Sequence, residues 1–496
     1  MKRFGELLNY LYTNREGKFI FYDRDNNRFE YDSVDIKKQI LIVSDHLKSK
    51  GFELTKDQWI RLISKDNCSS FFMMFALLSL GYNVLLANPN DDSDRDSFRT
   101  VDSDVYYEAS LDKEYDLGDL EEREFGSWVG FYSSGTTGYQ KKFVYNVETV
   151  LGLISNVRSI IMDNKIYGIL GENKRPSDRR ILSTLPMYHI LGFLVPFIMY
   201  SLECDIVFCK YLYPNSIIDS INKDNILGVF GVPLVWELIM NIAQKRFSDS
   251  ANPIREMLGD KIQIVLGGGS KINRRVRETY IDSGIDFFVG YGMTEIGFLS
   301  LSSSDLEDID SEGSIYPMYD YKILNEQGKL MDCGEGELVV DTKGIYSYMF
   351  DGGEPKSLDL IEGKYFETGD IFILEDSKLY FKGRKKNIIV SSNGENIFAY
   401  EIEARLDRSY FNNTPFCIGD YQGLVALYLY NYGGLFSEAS VEAIIRHLVD
   451  VNKGLHINSK IKKSILINEK EVLTSKGGLA IYKLNENSDI RVVNVK

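Results

Sequence analysis

Strand-like and helix-like apolar runs alternate over about the first 380 residues of this 496-residue chain. The runs at 228–233 and 262–269 are short and end in glycine or proline, as buried strands that lead into ligand-side loops do. Residues 148–165 instead have helical spacing. Their predicted apolar stripe consists of Val150, Leu151, Ile154, Val157 and Ile161. This alternation predicts α/β layers with largely parallel sheets.

The pattern changes at 334–382, where strand-like runs are separated by tight Gly and Asp turns. After the basic run KGRKK (382–386) the pattern becomes mixed. We therefore predict an α/β protein with a large N-terminal domain (1–382) of layered α/β subdomains plus a small β-rich unit. A small α+β C-terminal domain (383–496) is predicted to follow on a hinge.

Composition excludes several classes of function. The chain has 57 Lys plus Arg against 72 Asp plus Glu, a net charge of −15, which argues against general nucleic-acid binding. Five scattered cysteines without a CxxC pair and only four histidines give no zinc pattern and are typical of a reducing compartment. The apolar stretches 71–88 and 190–208 are each interpreted as a buried helix leading into a buried strand. With no targeting peptide recognised, we expect a soluble, cytoplasmic protein without a membrane span.

The segment FYSSGTTGYQKKF (131–143) has the small and hydroxylated residues of an anion-binding loop. It is not a Walker-type loop, because Thr136 occupies the required lysine position and the next helical pattern starts late, near Asn146. We therefore predict that it joins two strands of a hairpin. A dinucleotide fingerprint also fails in GYGMTEIG (290–297), because Glu295 stands at the third glycine position.

Six motifs occur in a fixed order along the chain. They are FYSSGTTGYQKKF (131–143), LPMYHILG (185–192), GGGSKI (267–272), GYGMTE (290–295), YFETGD (365–370) and GRKKNIIVSSNGENIFAYEIE (383–403). Together they resemble the adenylate-forming (AMP-binding) superfamily of acyl-CoA and aryl-CoA synthetases, peptide-synthetase adenylation domains and firefly luciferase. The first motif is similar to that family's YTSGTTGxPKG signature, with Gln140 in place of the proline and Lys142 in place of the final glycine.

The resemblance implies an enzyme that works in two steps. A carboxylate attacks the α-phosphate of ATP to give an acyl-adenylate and pyrophosphate, and a thiol then displaces AMP to form a thioester. Because the first step brings two anions together, donors, cations and a metal ligand are expected rather than a protein nucleophile. The residues that would hold the β- and γ-phosphates are Ser134, Gly135, Thr136, Thr137, Gly138 and Lys141.

The resemblance also assigns the remaining nucleotide contacts. Thr294 would contact the α-phosphate, and Glu295 would hold Mg²⁺, which prefers oxygen ligands. Tyr291, next to Gly292, would supply a flat face for adenine; as an isolated residue it could equally be a core aromatic. The strip that would line the other side of the base is Gly268, Gly269 and Ser270.

The ribose and hinge contacts come from the last two motifs. Asp370 would accept hydrogen bonds from both ribose hydroxyls, although an Asp after Thr-Gly is otherwise a turn former. Arg384 would donate to the ribose and phosphate, while Lys385 could be part of a solvated charge run. The resemblance implies a rotation of the small domain about Lys386, which would bring 391–397 to the thiol channel.

His189 in LPMYHILG would be the gate between the nucleotide site and the acyl tunnel; by itself it could be a core histidine. The motif resembles the version in fatty-acid and aryl-acid ligases. Amino-acid-activating domains carry an aspartate nearby, and 182–193 contains none. We therefore expect a small carboxylic acid without an α-amino group, fatty or aromatic.

One position departs from the family. Its adenylation lysine lies in a TxxGK pattern, and alignment on Thr474 and Gly477 puts Gly478 at the lysine position. Three interpretations remain open: Lys476 reaches the site through a remodelled loop, Lys483 does so, or the first half-reaction is slow. Lys476 is the favoured candidate.

The leading hypothesis is an ATP-dependent carboxylate ligase that uses ATP and Mg²⁺ and forms a thioester on CoA. A second hypothesis is a stand-alone enzyme that loads the phosphopantetheine of an acyl carrier protein. A third is a catalytically impaired binder of nucleotide or acyl-AMP, motivated by Gly478. The sequence names neither the acid nor the oligomeric state.

Overall fold

The structure is a computed structural model. It describes residues 3–12, 16–22, 26–89, 98–108, 117–133, 141–171, 174–209, 211, 213–343, 346–351, 354–390, 396–403, 405–411, 414–473, 479–485 and 487–495.

The helices and strands alternate for most of the chain. The helices are α1 (Gly5–Tyr12), α2 (Ser33–Ser49), α3 (Asn67–Ser79), α4 (Gly118–Glu121), α5 (Val147–Met162), α6 (Lys165–Leu170), α7 (Ile190–Ser201), α8 (Pro214–Lys223), α9 (Pro233–Arg246), α10 (Pro253–Leu258), α11 (Arg274–Asp282), α12 (Ala399–Glu403) and α13 (Glu438–Lys453). The strands up to residue 315 are β1 (Phe19–Tyr22), β2 (Arg28–Tyr31), β3 (Trp59–Ile63), β4 (Asn83–Ala87), β5 (Arg99–Asp102), β6 (Trp128–Tyr132), β7 (Lys142–Asn146), β8 (Ile181–Ser183), β9 (Ile206–Phe208), β10 (Gly228–Gly231), β11 (Ile264–Gly268), β12 (Asp286–Met293), β13 (Gly297–Leu301) and β14 (Ser314–Ile315). The later strands are β15 (Asp320–Leu324), β16 (Leu330–Met331), β17 (Gly334–Asp341), β18 (Tyr348–Asp351), β19 (Glu354–Ser357), β20 (Phe366–Glu375), β21 (Lys378–Arg384), β22 (Ile388–Val390), β23 (Asn396–Phe398), β24 (Phe416–Tyr421), β25 (Leu424–Tyr430), β26 (Lys463–Ile467) and β27 (Ile490–Asn494).

Two sheets in the first part of the chain are largely parallel. One has the order β14-β13-β12-β11-β10-β8-β9-β1-β2, and its strands from β12 to β1 run parallel. The other has the order β19-β18-β7-β6-β4-β3-β5, with β6, β4, β3 and β5 parallel. The predicted α/β layers are thus confirmed. Because parallel strands point the same way, the loops after β8, β10, β11 and β12 leave one edge of the first sheet.

The later strands form smaller sheets. β16-β15-β17-β20-β21 is one sheet, β24-β25-β26-β27 another, and β22 pairs with β23. The predicted β-rich stretch does not stay together, because β18 and β19 join the sheet of β7 instead. Tyr348 pairs with Val144, so β18 extends the sheet beyond the β6–β7 hairpin.

Both apolar stretches that could suggest a membrane span form a helix followed by a strand, as predicted. The first consists of α3, all of whose residues are buried, and β4; the second consists of α7 and β9. Among the residues that the structure describes, no helix has both the length and the apolar character needed to cross a membrane.

Helix α5 begins where the sequence indicates, with Asn146 as its N-cap accepting from the backbone N–H of Thr149 at 2.9 Å. Its buried face differs slightly from the prediction. Leu151 is only half-buried, while Leu153 is fully buried. A Cβ on Gly297 would stand 2.8 Å from the Leu153 side chain. The glycine therefore lets α5 pack closely against β13.

Contacts divide the chain into two units. The first comprises 1–133, 141–320 and 341–359, and the second comprises 134–140, 321–340 and 360–496. The domain boundary at 382/383 stays a prediction.

Candidate active site

The phosphate-loop motif is carried by the β6–β7 hairpin. Phe131 pairs with Phe143 and Tyr132 with Lys142, and the Ser133 N–H donates to the Lys141 carbonyl at 2.8 Å. The predicted hairpin is therefore confirmed, and Lys141 is exposed at its base. The other proposed phosphate contacts lie outside the described residues: Ser134, Gly135, Thr136, Thr137 and Gly138.

The glycine strip and Tyr291 lie at the carboxyl ends of neighbouring parallel strands. Gly268 is the partner of Gly290 in the β11–β12 ladder, and a Cβ on Gly268 would stand 3.0 Å from the Gly290 carbonyl oxygen. Gly269 has φ +86° with open space around it, and Ser270 is exposed. This backbone leaves room for a flat group at the sheet edge.

The Thr294–Glu295 turn between β12 and β13 is held by its backbone carbonyls. The Tyr145 hydroxyl of β7 donates to the Thr294 carbonyl at 2.5 Å. Ser347 donates twice to the Glu295 carbonyl, through its backbone N–H at 3.1 Å and its Oγ at 2.5 Å. With both carbonyls bound to the protein, the side chains of Thr294 and Glu295 stay partly exposed.

Tyr145 is fully buried and keeps its proton. Burial raises the pKa of Tyr145 far above its ordinary value, and the Glu295 carboxylate raises it further. The hydroxyl is therefore a permanent donor to the turn.

Glu295 was the predicted metal ligand, and its surroundings fit Mg²⁺ bound mainly through a substrate. Among the residues that the structure describes, no three His, Cys, Asp or Glu side chains cluster closely enough to enclose a metal ion. Mg²⁺ is often held by one or two carboxylates together with phosphate oxygens and water. A partly exposed carboxylate on a fixed turn suits that mode.

His189 is the N-cap residue of α7, at the end of the loop after β8. The loop is fixed by Asn67, which donates to the Leu185 carbonyl at 3.2 Å and accepts from the Met187 N–H at 3.0 Å. The His189 ring is half-buried and lies 4.7 Å from the Tyr188 ring. His189, Gly268–Ser270 and Tyr291–Glu295 thus all follow carboxyl ends of one parallel sheet.

A buried ion pair supports the glycine strip. Lys271, directly after Ser270, pairs with Glu312 at 2.7 Å and donates to the Asp310 carbonyl at 3.0 Å. The side chains of Lys271 and Glu312 are only 13% and 8% exposed, so the pair is a fixed part of the fold.

In the second unit, the predicted ribose residues Asp370 and Arg384 are brought together. They are direct partners in the β20–β21 ladder, and Arg384 Nε lies 3.1 Å from Asp370 Oδ1. Asp370 is 2% exposed, whereas the Arg384 side chain is 45% exposed. The arginine both neutralises the carboxylate and keeps donors toward solvent.

Glu337 of β17 was missed by the sequence analysis. It is buried, accepts from the Gly369 N–H at 2.9 Å and pairs with Lys385 Nζ at 2.7 Å. The Glu337 hydrogen bond raises the pKa of Lys385. Lys385 is therefore not simply a solvated charge.

Lys386 lies, exposed, in the short connection between β21 and β22, and Lys483 is exposed in a 3₁₀ turn. Lys476 and Gly478 lie outside the described residues, as does most of 391–397. Tyr145, Ser347 and Glu337 carried no recognisable pattern in the sequence, because each acts through contacts with residues distant in the chain.

Residues 128–348 match the sequence profile of AMP-binding enzymes. A feruloyl-CoA synthase from Amycolatopsis is 26% identical over 245 residues, 48% of this chain and 48% of that enzyme, so the chain spans about half the length of this curated relative. A 2-succinylbenzoate–CoA ligase from Bacillus thuringiensis is 24% identical over 434 residues, 78% of this chain and 81% of that enzyme. The fold is similar to that of o-succinylbenzoate CoA synthetase from Bacillus subtilis in complex with its acyl-adenylate, with a TM-score of 0.72, 18% identity, and coverage of 97% of each chain.

Proposed function

We propose that this chain, which belongs to the AMP-binding enzyme family through residues 128–348, is an ATP-dependent acid–thiol ligase that makes an acyl-adenylate and then a thioester on CoA. The observation that carries the proposal is the sheet edge at which His189, the Gly268–Ser270 strip and the Tyr291–Glu295 turn all follow carboxyl ends of parallel strands. Ligands of open α/β sheets bind at that edge. The fold similarity to an enzyme whose structure contains its acyl-adenylate intermediate supports the same proposal.

In this proposal, the motifs up to residue 295 bind the base and the phosphates. Tyr291 and the Gly268–Ser270 strip hold adenine, Thr294 donates to the α-phosphate, and Lys141 with the hairpin loop neutralises the β- and γ-phosphates. Glu295 binds Mg²⁺, which supplies charge neutralisation for the attack on the α-phosphate. His189 closes the path between the nucleotide and the acyl group.

The last two motifs are proposed to supply the ribose contacts and the hinge. Asp370 accepts from the ribose hydroxyls, and Arg384 donates to the ribose and phosphate. We propose a boundary at 382/383 with rotation about Lys386, and Lys476 as the adenylation lysine. The exposed position of Lys386 between two short strands supports a pivot there.

The substrate in this proposal is a fatty or aromatic carboxylic acid without an α-amino group. The absence of an aspartate in 182–193 removes the partner that a substrate ammonium would need. The names of the relatives, feruloyl-CoA synthase and 2-succinylbenzoate–CoA ligase, support an aryl or related acid. None of the five cysteines, all of which lie in described segments, forms a disulfide, which supports a reducing compartment such as the cytoplasm.

The deciding experiment is carboxylate-dependent ATP–pyrophosphate exchange over a panel of short and long fatty acids, benzoates, cinnamates and amino acids. Exchange with at least one acid that lacks an amino group is expected. CoA and a phosphopantetheinylated carrier protein are then compared as thiol acceptors with that acid, and CoA is expected to be the better one.

Absence of exchange with every acid would overturn the ligase proposal. Nucleotide binding without exchange would favour an impaired binder, the function that Gly478 suggests. Transfer to the carrier protein but not to CoA would identify a stand-alone loading enzyme.

A further inference from the structure

Glu337 occupies a position that none of the six motifs includes. Its side chain is 4% exposed, and each of its oxygens has its own partner. Oε1 accepts from the Gly369 N–H at 2.9 Å, and Oε2 lies 2.7 Å from Lys385 Nζ.

These two partners flank the ribose pair. Gly369 precedes Asp370, and Lys385 follows Arg384, so the carboxylate of Glu337 contacts both chain segments next to the pair. Asp370 and Arg384 are the last pair of the β20–β21 ladder on the side away from its turn. Beyond this pair β20 stays paired with β17, but no further rung joins it to the segment that follows β21; Glu337 supplies a cross-connection on that side through Lys385.

The backbone at this point needs such a support. Gly369 has φ +71°, and both ladders of β20 shift register nearby, between Glu337 and Val339 on one side and between Ile371 and Phe372 on the other. A strand with irregularities on both sides has fewer regular hydrogen bonds to fix its direction. The Gly369 N–H donates to Glu337 and thereby fixes the Thr368–Gly369 peptide, one peptide before Asp370, whose own N–H donates to Thr368 Oγ1 at 3.2 Å.

The opposite charges of Glu337 and Lys385 make the position of each side chain depend on the other. A buried carboxylate is costly unless it is paired and hydrogen-bonded, and Lys385 supplies its counter-charge. Glu367 is a more distant partner of the same lysine, at 3.8 Å. Removing the lysine therefore leaves the buried carboxylate of Glu337 without its closest cation, and the position of the carboxylate is then no longer fixed.

We propose that Glu337 and Lys385 are positioning residues that hold Asp370 and Arg384 in the geometry that recognises the two ribose hydroxyls of an adenine nucleotide. This inference rests on the proposed function, because it takes Asp370 as the ribose ligand. It also gives the segment before the hinge at Lys386 a fixed anchor, since Lys385 is tied to β17.

The test compares binding of AMP and of 2′,3′-dideoxy-AMP to the full chain by isothermal titration calorimetry. The variants are Glu337→Gln, which keeps an acceptor for Gly369 but has no charge, and Lys385→Met, which removes the ammonium. Lys382→Met is the matched control, because Lys382 lies three residues before Lys385, at the end of β21, and pairs with the exposed Glu401. The wild-type chain is expected to prefer AMP over the dideoxy nucleotide.

Glu337→Gln and Lys385→Met should each reduce the preference for AMP over dideoxy-AMP about tenfold. They should do so by weakening AMP binding, with the affinity for dideoxy-AMP nearly unchanged. The double variant should lose no more than the larger single loss, because both act through one contact. Lys382→Met should keep the wild-type preference.

If Glu337 and Lys385 had a purely structural role, their variants would lower the affinity for AMP and for dideoxy-AMP equally. That result would overturn the inference. It would also be overturned if Lys385→Met behaved like Lys382→Met, or if the wild-type chain did not distinguish the two nucleotides. Lys385 is 58% exposed, so its variant tests the inference even if Glu337→Gln fails to fold. The proposed function fails by a separate result, the absence of pyrophosphate exchange with every acid.

Discussion

Replacing Tyr145 with phenylalanine should slow adenylation although Tyr145 touches no substrate in the proposed mechanism. The substitution removes a single oxygen atom from a fully buried ring. That oxygen belongs to the hydroxyl that donates to the Thr294 carbonyl at 2.5 Å. This hydrogen bond is one of those that fix the Thr294–Glu295 turn.

The expected magnitude follows from the two ends of this bond. Leaving the part-buried Thr294 carbonyl without its donor costs about 1–3 kcal/mol, because the bond is lost and the desolvation of the acceptor is no longer compensated. For a domain of more than about 300 residues, each kcal/mol lowers the melting temperature by about 1–2 °C, because the unfolding entropy grows with chain length. The Ser347 bonds to Glu295 remain, so the turn shifts rather than unfolds. A shift of a fraction of an ångström at Thr294 should lower pyrophosphate exchange about tenfold.

Tyr428→Phe is the matched control. Tyr428 is also buried and donates to a backbone carbonyl, that of Asp420, at 2.5 Å, but it lies in the C-terminal sheet. Calorimetry should show similar destabilisation in both variants, while exchange should fall only in Tyr145→Phe. Equal exchange rates in the two variants, or loss of stability without loss of exchange in Tyr145→Phe, would refute the role assigned to the turn.

Three further predictions concern other parts of the chain. Lys271→Met should lower the free energy of unfolding by about 3 kcal/mol in urea titrations, because it leaves Glu312 buried without its cation; the double variant Lys271→Met/Glu312→Leu should recover part of the loss. Lys476→Ala should lower carboxylate-dependent pyrophosphate exchange about tenfold or more and leave thioester formation from pre-made acyl-AMP nearly intact; unchanged exchange would remove Lys476 from the mechanism. Burial raises the pKa of Glu403 to about 7 from its usual 4.5, so its protonated form favours the folded state and this contribution is lost as the pH rises through about 7. Glu403→Gln should therefore gain stability relative to the wild-type chain between about pH 5 and pH 8, and parallel urea midpoints across that range would contradict the shift.

The sequence predicts the parts of the site that are determined by residues close together in the chain. The β6–β7 hairpin follows from strand-like runs on both sides of a glycine-rich turn and from a helix that starts only at Val147. The buried strands β10 and β11 follow from short apolar runs that end in glycine or proline. These features depend on neighbours along the chain, so pattern and turn chemistry are enough.

The sequence does not predict the contacts that tie those parts together. Tyr145 is 149 positions from Thr294, and Glu337 is 48 positions from Lys385. Their pairing depends on which strands become neighbours, a property of the whole sheet rather than of any segment. For the same reason the pattern put β18 in the β-rich unit, whereas its pairing with β7 places Ser347 beside the turn of Glu295.

The antiparallel register of β20 and β21 has a consequence for protein engineering. The ladder that ends in Asp370 and Arg384 is closed at its other end by the exposed turn at Asp376 and Ser377, both with positive φ. The alignment of Asp370 and Arg384 depends on the paired rungs and on the contacts of Glu337, and not on the length of that turn. Exposed turn tips accept insertions well. A peptide epitope or a fluorophore-labelling tag placed between Asp376 and Ser377 would therefore give this protein a reporter at the far end of the ladder while leaving Asp370 and Arg384 in register.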